Sequence, residues 1–235
     1  MKLSIYKVVE EAILNNHDYN KIWSNSDFKD YPVASVSKAL SILCQKNIIK
    51  RIEKGYYYRP KMTVLGENVP DYLKLIFLKL EKKKAFYCIS GISGFNNIGL
   101  TTQVPNITVI ACDCPMKNNK GVKFIHRKWP HSGTAIERII LDALIDIDRI
   151  SDTTPSKNIL KIKRFIISGE VDINDLGISA KQESARVKAM VGALGQELGM
   201  NKTILNDLKR TLNLKNDFII DVASSLKYAK CWSIK

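Results

Sequence analysis

The chain has 235 residues, with 37 Lys and Arg against 23 Asp and Glu, a formal charge of +14. Its apolar content of 45% and charged content of 26% are ordinary for a globular protein and exclude wholesale disorder or a collagen-like repeat. No apolar run approaches the ~18 residues that a membrane span needs, and the opening MKLSIYKVVEEAIL holds two glutamates, unlike a secretory leader. Five scattered cysteines, Cys44, Cys88, Cys112, Cys114 and Cys231, fit a reducing compartment better than a disulfide framework. The expectation is a cytoplasmic, membrane-free protein whose basic surplus seeks an anionic partner, most simply nucleic acid.

The surplus is uneven. Residues 1–61 carry +5, residues 62–80 balance, residues 81–130 carry +6 and residues 131–235 carry +3. In the first segment Ile5, Val8, Val9, Ala12 and Ile13 recur at helical spacing, and Asn15-Asn16 ends that helix. Trp23 and Phe28 flank the polar stretch Ser24-Asn25-Ser26-Asp27, rich in N-cap residues, where a short second helix or helical turn can start. After Tyr31-Pro32, the residues Val36, Leu40 and Leu43 form a narrow apolar stripe of a third helix. Ser35, Ser37, Lys38, Ser41 and Gln45 fall off that stripe, toward solvent. Ile48, Ile49 and Ile52, the turn Lys54-Gly55 and the run Tyr56-Tyr57-Tyr58 read as a hairpin with a basic tip.

Three helices and a hairpin in this order predict a winged helix-turn-helix. Short serine side chains let a helix approach base edges in a major groove. Lys50, Arg51, Lys54 and Arg59 are the candidate phosphate contacts. The competing reading is a small α/β cap with an incidental basic hairpin, and many winged helices serve protein partners instead.

Met62 to Pro70 reads as a linker, and Asp71 opens a helix with Leu73, Ile76, Phe77 and Leu80 on one face. That helix ends in a lysine run suited to the C-terminal dipole. Strands are expected at 85–89, 107–112 and 122–125. Ser90-Gly91-Ile92-Ser93-Gly94 turns into a short helix but lacks P-loop spacing and its lysine. It also lacks the acidic pair that a nucleotidyltransferase GS turn requires, so Gly91 and Gly94 read as close-packing positions. Cys112 and Cys114, with His126 and His131 nearby, raise zinc, but a single C-x-C fails the usual spacing. No metal, cofactor or catalytic residue is expected, because no nucleophile is paired with a base. The run His126-Arg127-Lys128-Trp129 is basic and aromatic, fit equally for a nucleic-acid or partner contact or for a solvated strand edge.

The stretch VSKALSILCQKNIIKRIEKGYYYRPK, followed by NNIGLTTQVPNITVIACDCP, resembles the AbiEi-type antitoxins of type IV toxin–antitoxin systems over roughly residues 1–150. The resemblance implies a repressor whose winged helix binds inverted repeats in its own promoter. It also implies a second domain that counters a nucleotidyltransferase-like toxin, with no stable complex required. Ser90, Thr101, Thr102, Gln103 and Arg127 fall in the matching region. With Lys123 and Lys128 they make up the candidate antitoxin surface.

Thr134-Ala135-Ile136-Glu137 reads as a capping box, opening a helix with Ile136, Ile139, Ile140, Ala143, Leu144 and Ile147 on one side. A helix from Thr154-Pro155 to Ile167 follows. Ser179 to Gln182 reads as another capping box, ahead of a helix with Val187, Met190, Val191, Leu194 and Leu198 that ends at Gly199. Gly192 and Gly195 suggest that another backbone passes close by. A helix over 203–212 and a docked tail complete the chain.

The expected class is α+β: a winged helix-turn-helix over 1–61, a linker and connecting helix over 62–80, an α+β domain over 81–150 and a helical C-terminal extension over 151–235. The expected function is a non-enzymatic, DNA-binding antitoxin. The alternatives are a transcriptional regulator or interaction protein outside such an operon, or a nucleic-acid-processing enzyme with a winged-helix head.

Overall fold

The structure, a computed structural model, describes residues 4–64, 66–119, 121–128, 133–212 and 217–235. The chain is α+β and divides into two compact units, Met1–Lys83 and Lys84–Lys235, each with its own core. Two boundaries differ from expectation. The stretch read as linker and connecting helix belongs to the first unit, and residues 84–150 and 151–235 form one body around one continuous core.

In the first unit, helix α1 (Ile5–Leu14) starts at Ser4, whose side chain accepts from the Lys7 amide, and buries Val9 and Ile13. Strand β1 (Ile22–Ser24) follows, with alternation too short to show in the sequence. Of the two readings for the next segment, a short helix or a helical turn, the structure has the turn: a single 3₁₀ turn, Asn25–Phe28, held by a reciprocal capping box between Ser24 and Asp27. Helix α2 (Val33–Gln45) buries Val36, Ala39, Leu40 and Leu43. Strands β2 (Lys50–Glu53) and β3 (Tyr56–Tyr58) form the hairpin, with Gly55 at φ +85°. β1 pairs with the far edge of β3, giving a three-stranded antiparallel sheet ordered β1-β3-β2. Trp23 and Phe28 stack at 5.8 Å in this core, and Tyr57 is the buried member of the tyrosine run. The expected linker folds as a small hairpin, β4 (Met62–Thr63) with β5 (Gly66–Glu67), leading into helix α3 (Tyr72–Lys82).

In the second unit, β6 (Tyr87–Ser90), β7 (Thr108–Cys112) and β8 (Val122–His126) make a mixed sheet, antiparallel between β6 and β7 and parallel between β7 and β8. Helix α4 (Gly91–Asn97) leaves β6 directly. A Cβ on Gly94 would stand 2.3 Å from the Ile89 carbonyl oxygen, so this helix packs on the strand only with glycine there. Helix α5 (Ala135–Ile145) has the expected capping box at Thr134 and Glu137 and is buried along nearly its whole length. Helices α6 (Pro155–Ile167), α7 (Ile173–Ala180), α8 (Ala185–Leu198) and α9 (Lys202–Arg210) add the helical layer.

The capping box read at Ser179 is not one. Ser179 is buried inside α7, and the cap of α8 is Ser184, whose side chain accepts from the Val187 amide. Two competing serine starts five residues apart gave the pattern its ambiguity, and the short α7 escaped notice. The close approach at Gly192 and Gly195 is made by side chains, not backbone. The Trp232 ring lies over Gly192, and Met200 fills the space beside Gly195. Trp232 is 1% exposed and donates through Nε1 to Gln196 Oε1 at 2.8 Å, so the tail is fastened to α8.

Helix propensity alone favours Ala over Gly at position 192 by up to ~1 kcal/mol. The added methyl would lie 2.2 Å from the Trp232 ring. Overpacking of this kind costs roughly 1–3 kcal/mol, so Gly192→Ala is expected to destabilise the protein in a urea titration. A raised midpoint would mean that the ring yields freely.

Candidate nucleic-acid interface

The outward side of α2 can be read from its spacing. Ala34, Lys38, Ser41 and Gln45, separated by four, three and four residues, lie on one face, opposite the buried Val36, Ala39, Leu40 and Leu43. Lys38, Ser41 and Gln45 are exposed. No acidic residue occurs between 33 and 45. Ser35 and Ser37 are only half-exposed, on the flanks of this face. The Ser37 hydroxyl accepts from Asn25 Nδ2 at 2.8 Å, tying α2 to the 3₁₀ turn, so Ser37 is a packing contact rather than a base reader.

The four candidate phosphate contacts divide in the same way. Arg51 and Lys54 are exposed and have no acidic partner among the described residues. Lys50 instead bonds Glu67 at 2.5 Å, and Glu67 also accepts from the Tyr58 hydroxyl at 2.9 Å. Burial and that carboxylate push the Tyr58 hydroxyl up to about 12, while the Lys50 ammonium, followed by the Tyr58 hydroxyl, holds Glu67 below the usual carboxylate range. Lys50 therefore fastens the β4–β5 hairpin to the sheet.

Arg59 is committed as well. Its Nη1 donates to the Leu14 carbonyl at 2.8 Å, with Ile13 and Asn16 at 3.4 and 3.3 Å, and its guanidinium lies 4.9 Å from the Tyr19 ring centre. It satisfies the orphan carbonyls at the end of α1 and complements that helix dipole. Sequence reading missed Asn25 and Glu67. Nothing in the local pattern marks Glu67, because it lies in what reads as linker.

In the second unit the candidate antitoxin residues form two hydrogen-bonded clusters, one buried around Asp142 and one largely exposed around Asp152, and an exposed remainder. Arg127, just past β8, bonds both Asp142 on α5 and Glu183 before α8. Ser90, 2% exposed, donates to the same Asp142. Thr101 donates to Asp152 Oδ1 at 2.5 Å. The Thr102 amide and hydroxyl donate to Asp152 Oδ2 at 2.6 and 2.7 Å, and Gln103 Nε2 donates to Ser151 Oγ. The Thr-Thr-Gln motif thus clasps the loop before α6. Lys123 and Lys128 are exposed.

Cys112 donates to the Cys114 carbonyl at 3.1 Å, and burial pushes the Cys88 and Cys112 thiols up to about 11, away from thiolate chemistry. Among the described residues no three His, Cys, Asp or Glu side chains gather where they could hold a metal. His131 and Trp129 lie outside the described residues.

A basic, acid-free helix face on a small helical unit with a hairpin, joined to a mixed α+β body, is the class of protein these features define. The chain belongs to DUF6088, a family of unknown function, whose model matches residues 9–166. No curated protein matches it. Among solved structures it is similar to one described as the crystal structure of RV2827C protein from Mycobacterium tuberculosis. That likeness covers 93% of this chain and 84% of that one, at 10% identity and a TM-score of 0.49.

Two outcomes test the second-unit clusters. Removing one partner of a buried ion network leaves charge uncompensated, at a cost of about 3–5 kcal/mol, so Arg127→Met is expected to lower the unfolding free energy read from a urea titration by that order. The hydrogen bonds from Thr101, and then from Thr102, hold the Asp152 carboxyl down to about 2 against an ordinary 3.8. Its folded value lies below its unfolded one, so the clasp adds stability that is full above the ordinary value and lost as pH falls toward 2. The melting-temperature gap between wild type and Asp152→Asn should be open at pH 5 and close by pH 2. A gap independent of pH would mean that the ionised carboxylate is not what holds the loop.

Proposed function

We propose that the protein is a DNA-binding antitoxin that represses its own operon through the first unit and counters a nucleotidyltransferase-like toxin through the second. The observation that carries the DNA reading is the outward face of α2: exposed Lys38, Ser41 and Gln45 on a helix without a single acid. The hairpin that follows holds Arg51 and Lys54 free of acidic partners among the described residues. We read this order of elements, with its β1-β3-β2 sheet, as a winged helix. The antitoxin part of the proposal rests on the resemblance of the paired motifs VSKALSILCQKNIIKRIEKGYYYRPK and NNIGLTTQVPNITVIACDCP. No described helix is long and apolar enough to cross a membrane, which agrees with a cytoplasmic repressor.

Lys38, Arg51 and Lys54 are the groups proposed to meet DNA. If Arg51 and Lys54 neutralise phosphates while Lys38 reaches a base, the log–log dependence of affinity on salt should have a slope of about −2. Lys38→Glu combined with Arg51→Glu replaces two favourable charges by two repulsive ones on side chains outside the core. Gel shifts with the upstream DNA should collapse, and promoter-reporter repression with them. Survival against induced toxin should persist when the variant is expressed from a foreign promoter. Loss of both activities in a folded variant would place toxin control in the first unit. Equal affinity of the wild type for random DNA would remove the repressor reading.

A further inference from the structure

The outward face of α2 carries two long polar side chains of different hydrogen-bonding character, with one small residue between them and one before. Lys38 is a pure donor, whereas the Gln45 amide both donates and accepts. Neither has a hydrogen-bond partner among the described residues. Between and before them, Ser41 and Ala34 keep the helix surface low enough for the backbone to come close to a groove floor. The cations that hold the unit together, Lys50 and Arg59, are spent on Glu67 and on the end of α1. This leaves Arg51 and Lys54 on the hairpin for phosphates and Lys38 in the middle of the reading face.

We infer that α2 reads a purine pattern in the major groove, with Lys38 on a guanine and Gln45 on an adenine, so that these two residues set the sequence preference. This rests on the DNA-binding reading above. Guanine presents two acceptors, O6 and N7, which suit a donor-only ammonium. Adenine presents an acceptor and a donor, N7 and N6, which suit a carboxamide. Seven residues of helix rise about 10.5 Å, and base pairs stack at about 3.4 Å, so the two purines lie about three base pairs apart in the half-site. Arg51 and Lys54 add affinity but no sequence information.

The test is selection of a random-sequence duplex library on the purified full chain, followed by sequencing. Wild type should enrich a half-site with a fixed guanine and a fixed adenine about three positions apart. Gln45→Ala should flatten the adenine position about tenfold and leave the guanine. Gln45→Glu, an acceptor only, should move that position toward cytosine, whose N4 donates. Lys38→Ala should flatten the guanine alone. Arg51→Ala should weaken every sequence alike. Alanine is the best helix former, so these exposed replacements leave α2 intact, and circular dichroism checks that. If wild type enriches a motif that no α2 variant alters, or binds duplex without enrichment, the inference is overturned while DNA binding stands. If wild type retains no duplex even at low salt, the DNA-binding reading falls, and the inference with it.

Discussion

One guanidinium organises the second unit. Arg127 emerges from the end of β8 and is gripped by Asp142 of α5 and Glu183 of the segment entering α8. Sheet, central helix and helical layer therefore meet at a single cation, with Ser90 at the end of β6 completing the ring of donors around Asp142. Charges in such surroundings tolerate only one arrangement, because every unmet partner costs several kcal/mol. The apolar side chains of α5, α6 and α8 pack around this fixed point: Ile140, Leu144, Ile159, Ile162, Met190 and Leu194 are all fully buried. Hydrophobic burial supplies the bulk of the stability, while the ion cluster fixes which surfaces meet.

The same economy of charge runs through the first unit. Of the basic residues near the hairpin, Lys50 fastens β5, Arg59 closes the end of α1 and Lys79 pairs with Glu53 at 2.5 Å. A count of lysines and arginines overstates the field that an incoming anion meets. What reaches solvent unpaired is a smaller and better-defined set, and its placement says more about recognition than the total of +14 does.

Periodicity made the long elements legible. α1, α2, α5, α6 and α8 show their buried faces at helical spacing, and the three strands of the second sheet lie within two residues of their expected limits. Short or composite elements escaped. β1 offers only three residues, and α7 has no run long enough to separate its start at Asp172 from the neighbouring serines. The candidate sites were legible as residue types but not as roles. Ser90, Thr101, Thr102, Gln103 and Arg127, read as a surface, instead bond within their own unit, to Asp142, Ser151, Asp152 and Glu183, whose positions in the chain give no hint of the meeting. Ser37 and Lys50 look like any other exposed polar residue until Asn25 and Glu67 arrive from elsewhere in the chain.

Among the described residues each unit buries one indole, Trp23 in the first and Trp232 in the second. Trp23 sits against Phe28 with the Lys21 ammonium 3.8 Å from its ring centre, whereas Trp232 lies flat over a glycine with its N–H bonded to a glutamine. Trp232 also has the Lys209 ammonium 5.7 Å from its ring centre, so the two indoles differ in how close the cation stands and in the Gln196 hydrogen bond. Loss of order around each of these rings can thus be followed from the chain's own chromophores, with no label attached.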